Sequence, residues 1–162
     1  MTVLESIINK ELEDNIIKVV KEKELKWRNP IFAIPKKGKG KWRKIMDCSS
    51  LNQHLCCNHF KMEDIHTLRE LIKLNDWATK NELEGAYSHI VVSKNLRSFL
   101  GFKFKEQYYM YKVMCFGIRH APLVLHKTMR PVMEFIRKTL QVRGCPIATI
   151  QYSQANPKNT FS

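Results

Sequence analysis

Acidic side chains collect where a strand should end. The run Lys80 to Tyr87, Lys-Asn-Glu-Leu-Glu-Gly-Ala-Tyr, places Glu82 and Glu84 within and just past a short β-prone stretch, Thr79 to Leu83. Carboxylates at a strand end are a common setting for metal or general-base chemistry. Tyr87, taken alone, also reads as a half-buried strand-end aromatic. A second cluster is basic: Lys36, Lys37, Lys39, Lys41 and Arg43 crowd one Gly-containing loop and its exit, a pattern shared with solvated loop tips and localisation signals. The third is His54, Cys56, Cys57 and His59. Its spacing matches no usual zinc pattern, and adjacent cysteines cannot easily both reach one ion. No metal site is assigned there.

These residues need elements to hold them. A length of 162 residues argues for one domain with a real core. Lys and Arg number 28 against 15 Asp and Glu, a net +13, which suits a polyanionic partner because neutralised phosphates release counterions. A basic balance also fits membrane-surface or merely soluble proteins. The 5 cysteines form no Cys-x-x-Cys pair, and an odd count without a secretory signal favours free thiols in a reducing, intracellular setting. No apolar run approaches the ~20 residues of a membrane span.

Leu4, Ile8, Leu12, Ile16 and Val19 recur at helical spacing and predict a helix over 3–25, within an N-terminal segment 1–28. It must stop before Pro30, because a residue preceding proline is biased away from helical angles. Two β-prone runs, 31–34 and 42–46, flank the lysine-rich loop as a hairpin. Asp64 can cap a helix near 64–74, and Phe99 to Lys105 alternates as a strand, turning at Glu106-Gln107 into a return strand, Tyr108 to Val113. Pro122 suits the first turn of a helix running to Leu140, and Gly144 to Ile150 reads as a further strand. Residues 151–162 turn polar without periodicity, which predicts a disordered tail.

Several of these stretches, in this order, resemble the motifs of retroelement (retrotransposon) reverse transcriptases. The run Pro35-Lys36-Lys37 to Lys41-Trp42-Arg43 looks like the fingers hairpin that folds over the incoming nucleotide. There Arg43 and a companion, Lys36 or Lys37, would clamp the triphosphate, a task suited to a planar guanidinium and a mobile ammonium. Asp47 to Asn52 matches Asp-x-Arg-x-Leu-Asn, with Ser49 in place of the Arg. Leu83 to Tyr87 is similar to the first palm motif, in which an Asp holds two magnesium ions and the Tyr blocks the ribose 2′-hydroxyl. Here Glu82 stands at the Asp position and Tyr87 at the Tyr. Met114 to Pro122 resembles the second palm motif, with Phe116 touching the nucleotide, Gly117 allowing close approach to a base pair, and Cys115 where Pro is usual. Phe116 reads equally as a loop aromatic plugged into the core. The helix that follows carries Lys127, Arg130, Arg137 and Lys138 as a phosphate-facing set.

The resemblance implies an α+β fold, the fingers and partial palm of a right-hand polymerase over 29–150, with the thumb absent. The family's Tyr-x-Asp-Asp hairpin should follow, but the chain reads Gln-Tyr-Ser-Gln-Ala over 151–155, and no acid occurs after Glu134. Three aspartates normally hold the metal pair; Glu82 is the sole candidate left. The expectation is a reverse transcriptase fragment that does not polymerise, binds no cofactor of its own, and meets a template–primer weakly. A non-catalytic basic nucleic-acid-binding module is the alternative, and an active site completed by a second chain is a third. Oligomeric state is open.

Overall fold

Thr2 starts the first helix. Its hydroxyl accepts from the Glu5 amide at 3.3 Å while the Glu5 carboxylate accepts from the Thr2 amide at 3.2 Å, a reciprocal cap that satisfies two otherwise orphaned donors. The computed structural model describes residues 2–35, 40–56, 65–74, 76–80, 83–145 and 150–153. The helix, α1, spans Val3–Glu13 and ends well short of residue 25. Asn15 adopts a left-handed φ of 58°, its amide donates to Leu12, and the Ile16 amide donates to Glu11 at 2.9 Å. That pair of bonds closes the helix. The apolar spacing runs on past the cap, and for that reason periodicity alone overextends the helix. Residues Ile17–Val20 instead form β1.

The chain divides into two compact units, where length alone argues for one. The first comprises Met1–Asn58 and Gly85–Ala121. In it β2 (Ile31–Pro35) and β3 (Trp42–Met46) pair as the expected hairpin, with Ile31 opposite Met46 and Pro35 opposite Trp42. A short helix, α2 (Ser49–Gln53), follows. Later come α4 (Lys94–Arg97), β5 (Gly101–Phe104) and β6 (Gln107–Tyr111). Ser93 precedes α4, although its side chain makes no cap bond. The β5–β6 turn falls at Lys105-Glu106, one residue earlier than the sequence predicts, because Lys105 takes a positive φ of 52°. β1 adds to β6 to give the order β1-β6-β5. Asn29, buried before Pro30, donates from Nδ2 to the carbonyls of Phe99 and Gly101 and from its amide to Gly101. One side chain thus fastens the entry to β2 onto β5.

The second unit comprises His59–Glu84 and Pro122–Ser162. It holds α3 (Ile65–Leu71), β4 (Trp77–Lys80), the body of α5 (Ala121–Leu140), β7 (Arg143–Cys145) and β8 (Ile150–Ser153), with sheet order β4-β8-β7. Arg143 donates to the Leu71 carbonyl and pairs with Asp76, tying the end of α3 and the start of β4 to β7. The single strand expected over 144–150 is corrected: β7 ends at Cys145, β8 starts at Ile150, and the two pair antiparallel with Cys145 opposite Ile150. The tail expected from residue 151 is corrected as far as Ser153, because Gln151, Tyr152 and Ser153 hydrogen-bond along β4. Residues 154–162, the Asp64 cap and the end of the strand predicted over 79–83 lie outside the described residues. Pro131 sits within α5, so the Lys127 carbonyl lacks its helical donor.

The core of the first unit gathers Ile8, Ile17, Met46, Leu51, Phe102 and Tyr111, among others. One charge lies within it. The Lys44 side chain is 1% exposed and pairs with Glu11 of α1, with its Nζ 4.1 Å from the centroid of the Phe102 ring and 4.9 Å from that of Tyr111. Burial pushes Glu11 above and Lys44 below their ordinary values, each partly offset by the other. Removing one member of a buried pair strands the other charge, at about 3–5 kcal/mol. Lys44→Ala or Glu11→Ala should therefore lower the urea midpoint steeply. The apolar double Glu11→Leu, Lys44→Met should unfold near or above the wild-type midpoint.

Candidate functional site

Two backbone hydrogen bonds decide which candidate residues meet. The Val92 amide donates to Lys112 and the Met114 amide to Ile90, at 3.0 and 2.8 Å, around a Val91–Val113 bridge. The pairing draws the segment 85–92 against 112–117. Gly85 turns with a φ of 59° into a short 3₁₀ helix, Ala86–His89. Tyr87 on that turn then meets Phe116 edge-to-face, with ring centroids 4.7 Å apart at 90°. Phe116 remains 61% exposed, so the core-plug reading of that residue is excluded by its own accessibility. Tyr87 is half-buried, and partial desolvation pushes its phenol upward.

Gly117 lies at the floor of the turn with a φ of 100°. A Cβ there would sit 2.6 Å from the Met46 carbonyl oxygen, with Cys48 next nearest. The position excludes a side chain for two reasons at once, backbone angle and space. Asn52 brackets the same turn: its Nδ2 donates to the Gly117 carbonyl at 2.6 Å, and its Oδ1 accepts from the Arg119 amide at 2.8 Å. His120 Nε2 lies 2.8 Å from the Cys56 carbonyl. Asn52 was visible as part of a Leu-Asn motif, but its partners lie 65 and 67 residues away. Local sequence carries no sign of them.

Arg43 stands on β3 opposite Ile34 and is exposed. Alternation along the strand sends Lys44 inward and Arg43 outward, onto the face shared by Phe32, Ile34 and Ile45. Lys36, Lys37 and Glu82 fall outside the described residues. Lys127, Arg130 and Lys138 are exposed on α5 in the second unit. Their spacing puts them on one stripe, interrupted by Glu134, which pairs with Arg130 at 3.3 Å. Of the His/Cys cluster, Cys57 and His59 fall outside the described residues, and the His54 ring packs edge-on to Trp27 with centroids 5.3 Å apart. Among the described residues no group of three or more His, Cys, Asp or Glu is placed to hold a metal ion. Among them, too, no helix is long and apolar enough to cross a membrane.

The family description "reverse transcriptase (RNA-dependent DNA polymerase)" matches residues 34–153, from the β2–β3 hairpin through β8. The chain belongs to the reverse transcriptase family. A polyprotein of Cassava vein mosaic virus is 24% identical to it over 118 residues, which span 68% of this chain and 18% of the polyprotein. Two crystal structures of the prototype foamy virus protease–reverse transcriptase share the fold. The native form superposes with a TM-score of 0.71 at 14% identity, over 91% of this chain and 19% of its own. A selenomethionine-labelled CSH mutant gives 0.75 at 15%, over 96% and 20%. This reverse transcriptase chain thus spans about a fifth of the proteins it matches. The likeness establishes a mixed α+β polymerase fold for the fragment.

The bracketed turn yields a test of its own. Gly117→Ala should lower stability by roughly 2 kcal/mol or more, combining a strained backbone with an unrelieved clash against a carbonyl. Asn52→Ala should remove about 1–2 kcal/mol, one hydrogen bond on each side of the amide. Thermal unfolding of both variants checks the order, Gly117→Ala being the more damaging.

Proposed function

We propose that this chain is the fingers and part of the palm of a retroelement reverse transcriptase, and that by itself it holds nucleic acid without extending it. The observation that carries this reading is the β4–β8 register. The strand leading toward Glu82 is hydrogen-bonded to Ile150–Ser153, with Ala78 opposite Tyr152 and Thr79 opposite Gln151. That is the segment where the family resemblance calls for the remaining metal-holding carboxylates. It reads Ile-Gln-Tyr-Ser, and Gln154 and Ala155 follow.

In-line phosphoryl transfer of this kind uses two ions about 3.5–4 Å apart, clamping the attacking and leaving oxygens. One carboxylate, lengthened by a methylene relative to Asp, does not fit such a pair. The residues present therefore supply no second ion site, and the chemistry they retain is recognition. Arg43, with Lys36 and Lys37, offers cations to phosphate. Tyr87 and Phe116 offer an aromatic surface to a sugar or base, above a Gly117 turn that keeps side chains out of the way. Lys127, Arg130 and Lys138 add positive charge along α5. The net +13 makes the interaction electrostatic and salt-sensitive.

Two measurements test this. In primer extension with magnesium or manganese, the unmodified chain should incorporate no nucleotide, and Glu82→Asp should not rescue it. Glu82-dependent extension would overturn the reading in favour of a site completed by another chain. Single-stranded or hybrid oligonucleotides should bind weakly and without sequence preference, with affinity falling as salt rises. The triple variant Lys36→Ala, Lys37→Ala, Arg43→Ala should flatten the log–log salt slope by about two to three units, near one per lost phosphate contact. An unchanged slope would remove the hairpin from the binding surface.

A further inference from the structure

Phe116 presents its ring to solvent, so no core packing fixes where that ring stands. The residue after it, Gly117, has no side chain to hold the turn and takes a φ of 100°. A turn of that kind keeps one shape only if something outside it holds the backbone. Here a single side-chain amide does so. Asn52 Nδ2 donates to the Gly117 carbonyl at 2.6 Å and Oδ1 accepts from the Arg119 amide at 2.8 Å, one bond on either side of Ile118. The two partners fix the orientation of the amide, since a carbonyl only accepts and a backbone N–H only donates. Asn52 itself stands on a fixed base. Leu51 beside it is buried in the core, and the Asn52 backbone amide donates to the Cys48 carbonyl at 2.8 Å. The Asp47 carboxylate accepts from the Ser49 amide and hydroxyl, closing the start of α2. Just past α2, the Cys56 carbonyl meets His120 Nε2 at 2.8 Å, so residues 52–56 hold both ends of 117–120.

We propose that Asn52 is a positioning residue: through the Gly117 turn it sets the Phe116 ring against Tyr87, and so shapes the aromatic surface offered to a nucleic-acid base. This positioning rests on the recognition role of Tyr87 and Phe116, and Asn52 acts without itself touching the base. The chain of contacts is continuous. Asn52 grips Gly117 and Arg119, Gly117 is bonded to Phe116, and the Phe116 ring stands edge-to-face on Tyr87 with centroids 4.7 Å apart. The bracket needs a donor and an acceptor side by side on a short stem, which an asparagine amide supplies. A carboxylate of the same shape keeps the acceptor for Arg119 but turns a lone pair on the Gly117 carbonyl, so half of the bracket becomes repulsive. An aliphatic residue releases both halves. Once released, the Phe116 ring samples orientations in which it no longer meets Tyr87, and ordering it again on binding costs affinity. That cost is not electrostatic. No phosphate contact is lost, so it is the same at every salt concentration, unlike the cationic contribution of the β2–β3 hairpin.

Binding of a fluorescein-labelled single-stranded oligonucleotide by the whole chain, read by anisotropy across a salt series well below the melting temperature, tests the proposal. Asn52→Ala should weaken binding about tenfold at every salt concentration, a loss within the range for one base stacked on an aromatic ring. The log–log salt slope should not change. Phe116→Ala should lose at least as much. The double variant Asn52→Ala, Phe116→Ala should bind no more weakly than Phe116→Ala alone, because Asn52 acts through that ring. Two losses that multiply in the double variant would overturn the proposal. A second readout needs no nucleic acid. With Phe and Tyr selectively labelled, the nuclear Overhauser contact between the Tyr87 and Phe116 rings should be present in the wild type and lost in Asn52→Ala. Persistence of that contact at wild-type strength in the folded variant would sink the proposal even where binding has weakened. Asn52→Asp, which keeps the volume of the side chain, takes the place of Asn52→Ala should the latter not fold. A wild type that binds no oligonucleotide counts against the recognition role alone, and the ring contact then decides the positioning.

Discussion

A single ammonium group, Lys44 Nζ, sits where α1, β3 and β6 converge, paired with Glu11 and lodged beside the rings of Phe102 and Tyr111. Burying such a pair brings little net stability, because desolvating two ions consumes most of their attraction. What it does is discriminate between registers. A one-residue slip of the β2–β3 hairpin would reverse the faces of every side chain. Lys44 would turn to solvent, Arg43 would enter the core, and Glu11 would be left half-buried without its cation. Few contacts in the first unit penalise an alternative so heavily.

The candidate site inherits its geometry from that register. Because Lys44 points in, Arg43 points out beside Phe32, Ile34 and Ile45. Because β3 ends at Met46 where it does, the Met46 carbonyl and Cys48 form the surface on which Gly117 rests. Asn52, one helical turn later, then reaches the Gly117 carbonyl and the Arg119 amide together. The Tyr87–Phe116 contact depends in turn on the Ile90–Val92 and Lys112–Met114 pairing. The candidate site of the first unit is thus assembled from backbone hydrogen bonds and one buried charge.

In the second unit the same kind of economy appears. Arg143 joins α3, β4 and β7 through one guanidinium, and β8 pairs fully with β4. The sheet is built although Ile150–Ser153 carries no acid. Backbone pairing is nearly indifferent to whether a strand residue is Asp or Gln, so the sheet of this fold does not require those acids.

Much of this was legible in the chain itself. The β2–β3 hairpin, the β5–β6 hairpin and α5 follow from local alternation, turn residues and Pro122, all of which act over a few residues. The ordered motifs around Arg43, Tyr87 and Gly117 carried the family, and the missing carboxylates are a property of sequence alone. Tertiary structure decided the rest. An Asn in a left-handed cap ended α1 at Glu13, where the apolar spacing had no reason to stop, and freed Ile17–Val20 to pair with β6. The partners of Asn52 and the ring that Phe116 meets lie far along the chain. Period and propensity report only which face a residue takes on its own element. Which residues from distant segments share that face is set by how the elements pack, and only the folded chain contains it.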